Sequence, residues 1–165
     1  MTSRQRGLLI ALVHMVIVGS VGAKFLADRI HYPKVWIETR PFDPELPVRG
    51  RYVTLAPVVD YASTKETSEG VNEKVSLVIR NGRLTALADP DGLNRLRHSL
   101  CGARTCWTLM EPLAYFIPEH IPDPSRVGAG EQLWVEATLP PRGPPRPLRL
   151  GIRSDSKIKP LNKEE

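Results

Sequence analysis

Between Arg6 and Lys24 the chain runs 17 residues without a charge, GLLIALVHMVIVGSVGA. A surface helix needs a polar face, and this stretch has none. Burying it on every side would take a larger protein than the rest of the chain can form. A run of 17 residues is at the short end for a membrane span. Phe25, Leu26 and Ala27 extend the apolar character, and Lys24 can lay its stem along them while its ammonium reaches the headgroups. Residues 1–30 are therefore predicted to be an N-terminal membrane anchor. A cleaved export signal competes with this reading, because Val21-Gly22-Ala23 offers a small residue at a cleavage position. The run exceeds the usual apolar core of a signal peptide, about 7–15 residues, which favours a retained anchor. His14 lies mid-span. It reads either as a proton or metal site, or as a neutral imidazole held in its own helix or by a partner helix; the second is the ordinary role.

Proline bounds the remainder. The chain has 16 prolines and none precedes Pro33. Each removes a donor and clashes with a helix interior, so long helices after the anchor are not expected. The charge is also uneven. Residues 1–34 carry +4 of the net +5, and residues 35–165 are close to neutral. A nucleic-acid partner, which needs basic charge clustered on the binding domain, is therefore not expected. Basic residues flank the apolar run on both sides, so the positive-inside count leaves orientation open.

Residues 35–40 (VWIETR) alternate apolar and polar and read as a strand. Residues 51–61 read as a second, with Pro57 marking an edge or bulge. Residues 74–80 and 83–88 flank Asn81-Gly82, the strongest short signal for a hairpin, since both turn residues accept positive φ. Within residues 89–100, residues 91–97 read as one or two helical turns capped by Asp89 or Asp91. Residues 107–117 read as a strand broken near Pro112. Residues 132–139 and 148–153 alternate again, and the proline-rich 140–147 between them reads as a stiff connection, with a polyproline ligand as the alternative. The predicted fold is mainly β: one N-terminal transmembrane helix, then a compact antiparallel β domain of six or seven strands over 31–155, for which a small barrel is one form. Residues 156–165 are expected to be a disordered tail.

Chemistry is sparsely signalled. Cys101 and Cys106 stand close together behind an export segment, and a disulfide suits both the spacing and the compartment. Such a bond would place the domain on the extracytoplasmic, periplasmic side of the cell membrane. A metal site using His98 with the two cysteines fits zinc spacing poorly, and a thiol redox pair would depart from the usual two-residue spacing. Asp60, Glu111, Glu119 and His120 could serve a hydrolase or peptidase, but any domain of this size offers such groups. A Ser-Lys peptidase is not supported: no serine lies between Ser20 and Ser63, and Lys65 and Lys74 sit in or beside a polar loop. No catalytic, metal or cofactor residue is assigned, and no cofactor is expected.

Residues 39–57 read TRPFDPELPVRGRYVTLAP. This stretch resembles a bacterial membrane-anchored family named for its Gly-Asp-Tyr-x-x-Leu-x-Tyr motif. Asp43 and Pro44 fall where that family has a Pro-x-Asp-Pro element. Gly50, Tyr52 and Leu55 match the motif, while Arg51 and Pro57 depart from it. Tyr115, Pro118 and Glu119 resemble a second family segment. The resemblance covers most of the chain and implies an envelope protein without assigning an activity. Read from the residues alone, Val53 and Leu55 should face the core, Tyr52 and Thr54 the other side, with Tyr52 lying over the proline-rich turn. The function expected is a membrane-anchored accessory or interaction protein of the cell envelope, with membrane lipid and an integral membrane protein as partners.

Overall fold

The computed structural model describes residues 2–42, 52–62, 72–102, 104–117, 124, 127–128, 130–155 and 157–161. The chain divides into two units, Met1–Tyr32 and Pro33–Glu165.

The first unit is one helix, α1 (Ser3–His31). At about 1.5 Å per residue it is long enough to cross a bilayer. Its start is fixed by a capping box: Gln5 N–H donates to Thr2 Oγ1 at 3.4 Å and Thr2 N–H to Gln5 Oε1 at 2.8 Å. Its end is fixed by Pro33, which drives Tyr32 into extended geometry. None of its apolar stretch is buried. His14 Nδ1 lies 2.8 Å from the Ile10 carbonyl and Ser20 Oγ donates to the Ile17 carbonyl at 2.8 Å. Both polar side chains thus find a backbone partner within the helix.

The second unit is a mainly antiparallel sheet of ten strands. They are β1 (Lys34–Pro41), β2 (Tyr52–Ala62), β3 (Lys74–Arg80), β4 (Arg83–Ala88), β5 (Asn94–Cys101), β6 (Arg104–Leu109), β7 (Leu113–Phe116), β8 (Gln132–Thr138), β9 (Arg146–Ser154) and β10 (Lys157–Pro160). Strand β2 organises the unit. Its first half pairs with β1 and β7, at Pro41↔Leu55 and Val53↔Tyr115. Its second half pairs with β4, the one parallel pair among the described strands, and with β6 at Val59↔Trp107. Since β4 pairs β3, β3 pairs β5 and β5 pairs β6, these strands and β2 close a hydrogen-bonded ring. Outside the ring, β1 continues into β8, β9 and β10.

One core joins both parts. Ile37, Leu55, Val75, Leu96, Leu109 and Val135 are at most 2 % exposed. Each such side chain stabilises the fold by about 1.5–3 kcal/mol through burial. Two buried threonines are partnered: Thr39 Oγ1 donates to the Leu133 carbonyl at 2.7 Å, and Thr108 Oγ1 meets Ser99 Oγ at 2.9 Å.

The hairpin at Asn81-Gly82 forms in the expected register, with φ of 50° and 73° at its two turn residues. The break expected near Pro112 is present, with 107–109 ending β6 and 113–116 forming β7, both paired along β2. Two expectations are corrected. Residues 94–101 are strand, because β5 takes its hydrogen bonds from β3 and β6, and this outweighs the local helical pattern. The expected tail contributes β10, whose Ile158 pairs with Arg153. The count is therefore ten strands, not six or seven.

Candidate functional site

A cleft of about 470 Å³ opens on the β unit. One wall is the turn between β4 and β5, the other the proline-rich connection between β8 and β9. The turn is built rigidly. Asp89 receives the Ser76 hydroxyl on Oδ2 and the Asp91 N–H on Oδ1 at 3.0 Å, while Gly92 N–H returns to the Asp89 carbonyl at 2.9 Å. The Ser76 bond, then the Asp91 N–H, hold the Asp89 carboxyl below the ordinary aspartate range; partial desolvation opposes them weakly. Gly92 is required by close approach. A Cβ there would lie 2.4 Å from both the carbonyl carbon and oxygen of Val75. The two walls are tied together by Asn94, buried to 6 % exposure, whose Nδ2 donates to the Gly143 carbonyl at 3.3 Å.

The cleft floor and rim are apolar at Leu77, Leu93, Pro140 and Pro141. Asp91 and Arg142 line it as well, both exposed. Among the described residues, neither side chain has an ion-pair partner. Charges of opposite sign thus face one space without closing on each other. Such an arrangement can hold a ligand that carries both signs, or orient a partner loop.

A second feature lies on the outer face of β1, β8 and β9. Arg149 stands 5.5 Å from the ring centre of Trp36, and Arg153 stands 4.9 Å from that of Trp134. Arg149 also pairs with Glu136 at 2.6 Å. Beside them a hollow of about 70 Å³ is lined in part by Glu38, Asp60, Arg83 and Trp134. The Trp134 Nε1–H is buried and has no acceptor among the described residues. The alternation in QLWVEAT was the available signal for this face, since it puts Trp134 and Glu136 opposite Leu133 and Val135.

The residues singled out in the sequence do not converge. The sulfurs of Cys101 and Cys106 are within bonding distance, with Cα atoms 5.7 Å apart, at the tip of the β5–β6 hairpin, where Gly102 takes a φ of 68°. His98 stacks on Trp107 at 3.6 Å. Among the described residues no group of three metal-ligating side chains gathers. Asp60 is exposed and lies 3.6 Å from Arg83, and Glu111 and Lys74 are exposed. Of the motif residues, Leu55 is fully buried, and Tyr115 sits half-buried opposite Val53. Tyr52 is exposed and packs edge-on against Phe116 at 5.5 Å. Asp43, Pro44, Gly50, Lys65, Pro118, Glu119 and His120 lie outside the described residues.

No family model, curated protein or solved structure matches this chain.

Proposed function

We propose that the chain is a single-pass membrane protein that presents its β unit on the extracytoplasmic side and acts there as an interaction module for a membrane partner. The observation that carries this reading is α1, apolar on every side with none of its apolar stretch buried. Such a surface is stable in lipid and costly in water. The paired positions of Cys101 and Cys106 support an oxidising compartment. The partial match of Gly50, Tyr52 and Leu55 to the membrane-anchored family supports a bacterial envelope setting.

Alkaline carbonate extraction of membranes tests the anchor: the protein should stay in the pellet with residues 1–23 present in its intact mass. Release into the supernatant, or loss of those residues, would replace the anchor with a cleaved export signal. An impermeant maleimide applied to intact cells tests the side. Cys101 and Cys106 should label only after reduction, and labelling without reductant would remove the support drawn from the cysteines. Exchange of α1 for an unrelated span should then leave crosslinks between the β unit and a membrane partner in place, and their loss would move recognition from the β unit to α1.

A further inference from the structure

We propose that the cleft between the 89–92 turn and the 140–143 connection binds a small zwitterion, an amine and a carboxylate joined by a short aliphatic or peptide stem. The inference does not rest on the membrane reading, since every group it uses belongs to the β unit.

The cleft volume, about 470 Å³, falls within the range of small-molecule sites. It would hold a ligand about the size of a short peptide. Asp89 supplies a fixed carboxylate. Its two oxygens offer about four acceptor positions, and Ser76 and the Asp91 N–H occupy two. The remaining positions can accept from an ammonium group, and the neighbouring Asp91 carboxylate adds a second negative charge on the same wall. Arg142 stands on the other wall with a guanidinium suited to a carboxylate. The apolar surface of Leu77, Leu93, Pro140 and Pro141 lies along the same cleft and suits the stem.

Two further observations set this cleft apart from solvated surface charge. The two walls come from segments 49 residues apart, yet Asn94 joins them directly. And neither wall can relax easily. Gly92 is pressed against the Val75 backbone, and the opposite wall is stiffened by Pro140 and Pro141. A site that keeps opposite charges apart in rigid walls is organised before its ligand arrives, which lowers the entropic cost of binding. A purely cationic ligand would meet Arg142, and a purely anionic one would meet Asp89 and Asp91, so the arrangement selects for both signs in one molecule.

Isothermal titration of the full-length protein in detergent micelles tests this, with 6-aminohexanoate as probe. Two capped relatives serve as comparisons: 6-aminohexanamide, which keeps only the ammonium, and N-acetyl-6-aminohexanoate, which keeps only the carboxylate. The zwitterion should bind saturably, and each cap should weaken it about two- to fivefold, the range of exposed ion pairs. Arg142→Gln should bind the zwitterion and the amide equally well. Asp91→Asn should narrow the gap between the zwitterion and the N-acetyl compound. Both altered side chains are exposed, so the fold should tolerate either change. Absence of saturable binding to the wild type, or preferences that neither variant alters, would overturn the inference.

Discussion

The closest approach in the cleft wall gives the sharpest test of the fold. In Gly92→Ala the new methyl would sit 2.4 Å from the Val75 carbonyl carbon and oxygen and 2.8 Å from its nitrogen. Ordinary contact begins near 3.4 Å, so the turn and strand β3 must separate by about 1 Å. Val75 cannot yield freely. It is fully buried, and it is paired with Ala88 on β4 and with Asn94 on β5. Overpacking of this kind costs about 1–3 kcal/mol. Displacement would also lengthen the flanking bonds from Asp89 N–H to the Lys74 carbonyl and from Leu96 N–H to the Glu73 carbonyl, each 3.1 Å. Loss of one adds about 1 kcal/mol. The expected destabilisation is therefore about 3 kcal/mol. Gly82→Ala is the control: its φ of 73° disfavours a side chain, but nothing lies within 4 Å of the added carbon. It should cost about 1–2 kcal/mol. Urea unfolding followed by tryptophan fluorescence reads the β unit alone, because Trp36, Trp107 and Trp134 all lie in it. If Gly92→Ala costs no more than Gly82→Ala, the turn is not seated against β3 as described.

Three further outcomes are expected. Replacing Cys101 and Cys106 together by serine should lower stability by about 2 kcal/mol, the loop-closure term for a sequence separation of 5, measured by the same unfolding assay with and without reductant. The Asp89 carboxyl is depressed in the folded state, so its contribution is present above the ordinary aspartate range and is lost as pH falls through the folded value. Thermal melts from pH 3 to 7 should show that loss in the wild type and not in Asp89→Asn, and parallel curves would remove Asp89 from the account. In Gly151→Val the added carbon would meet Ile158 Cγ2 and Trp36 Cζ3, each at 2.9 Å, so β10 should detach first. Limited proteolysis should then cut after Ser154 with β1–β9 still protected, whereas an uncut tail would show that Trp36 swings aside.

Local chemistry explains why parts of the fold were legible. Asn81-Gly82 specifies its own turn, and alternation in 35–40 and 132–139 assigns each residue to a face without help from elsewhere. Val35 and Ile37 are buried on one face, and Trp36 and Glu38 are half-buried on the other. β5 was harder. Its buried Asn94 and Leu96 alternate with exposed Leu93 and Arg95, a period of two, but Leu93, Leu96 and Arg97 also fit a helical spacing. The choice is made by β3 and β6, which lie on either side of it. β10 was harder still: Lys157 and Lys159 read as solvated tail, and only Ile158, against the Gly151 surface, shows why the segment pairs. Those lysines and Pro160 also protect the sheet edge from pairing with another chain.

The cleft illustrates a different limit. Each of its walls reads as ordinary connection when taken alone. Pro90-Asp91-Gly92 is a turn signature in its own right, with proline fixing φ, aspartate bonding locally and glycine admitting close approach. Giving that signature its weight over the capping pattern would have placed the turn correctly. It would not have found the second wall. Residues 140–143 reach Asn94 only because β8 runs beside β1, β1 beside β2, and β2 beside β4 and thus β3. The charges at Asp89, Asp91 and Arg142 acquire a common space through four successive strand pairings, none of which involves those residues. A functional reading of this chain therefore depends on register. A one-residue slip of β8 against β1 would turn the core face of β8 outward, and Leu133 and Val135 buried at 2 % and 0 % exclude it. The same burial that fixes the sheet thus brings the two segments that carry these charges to one cleft.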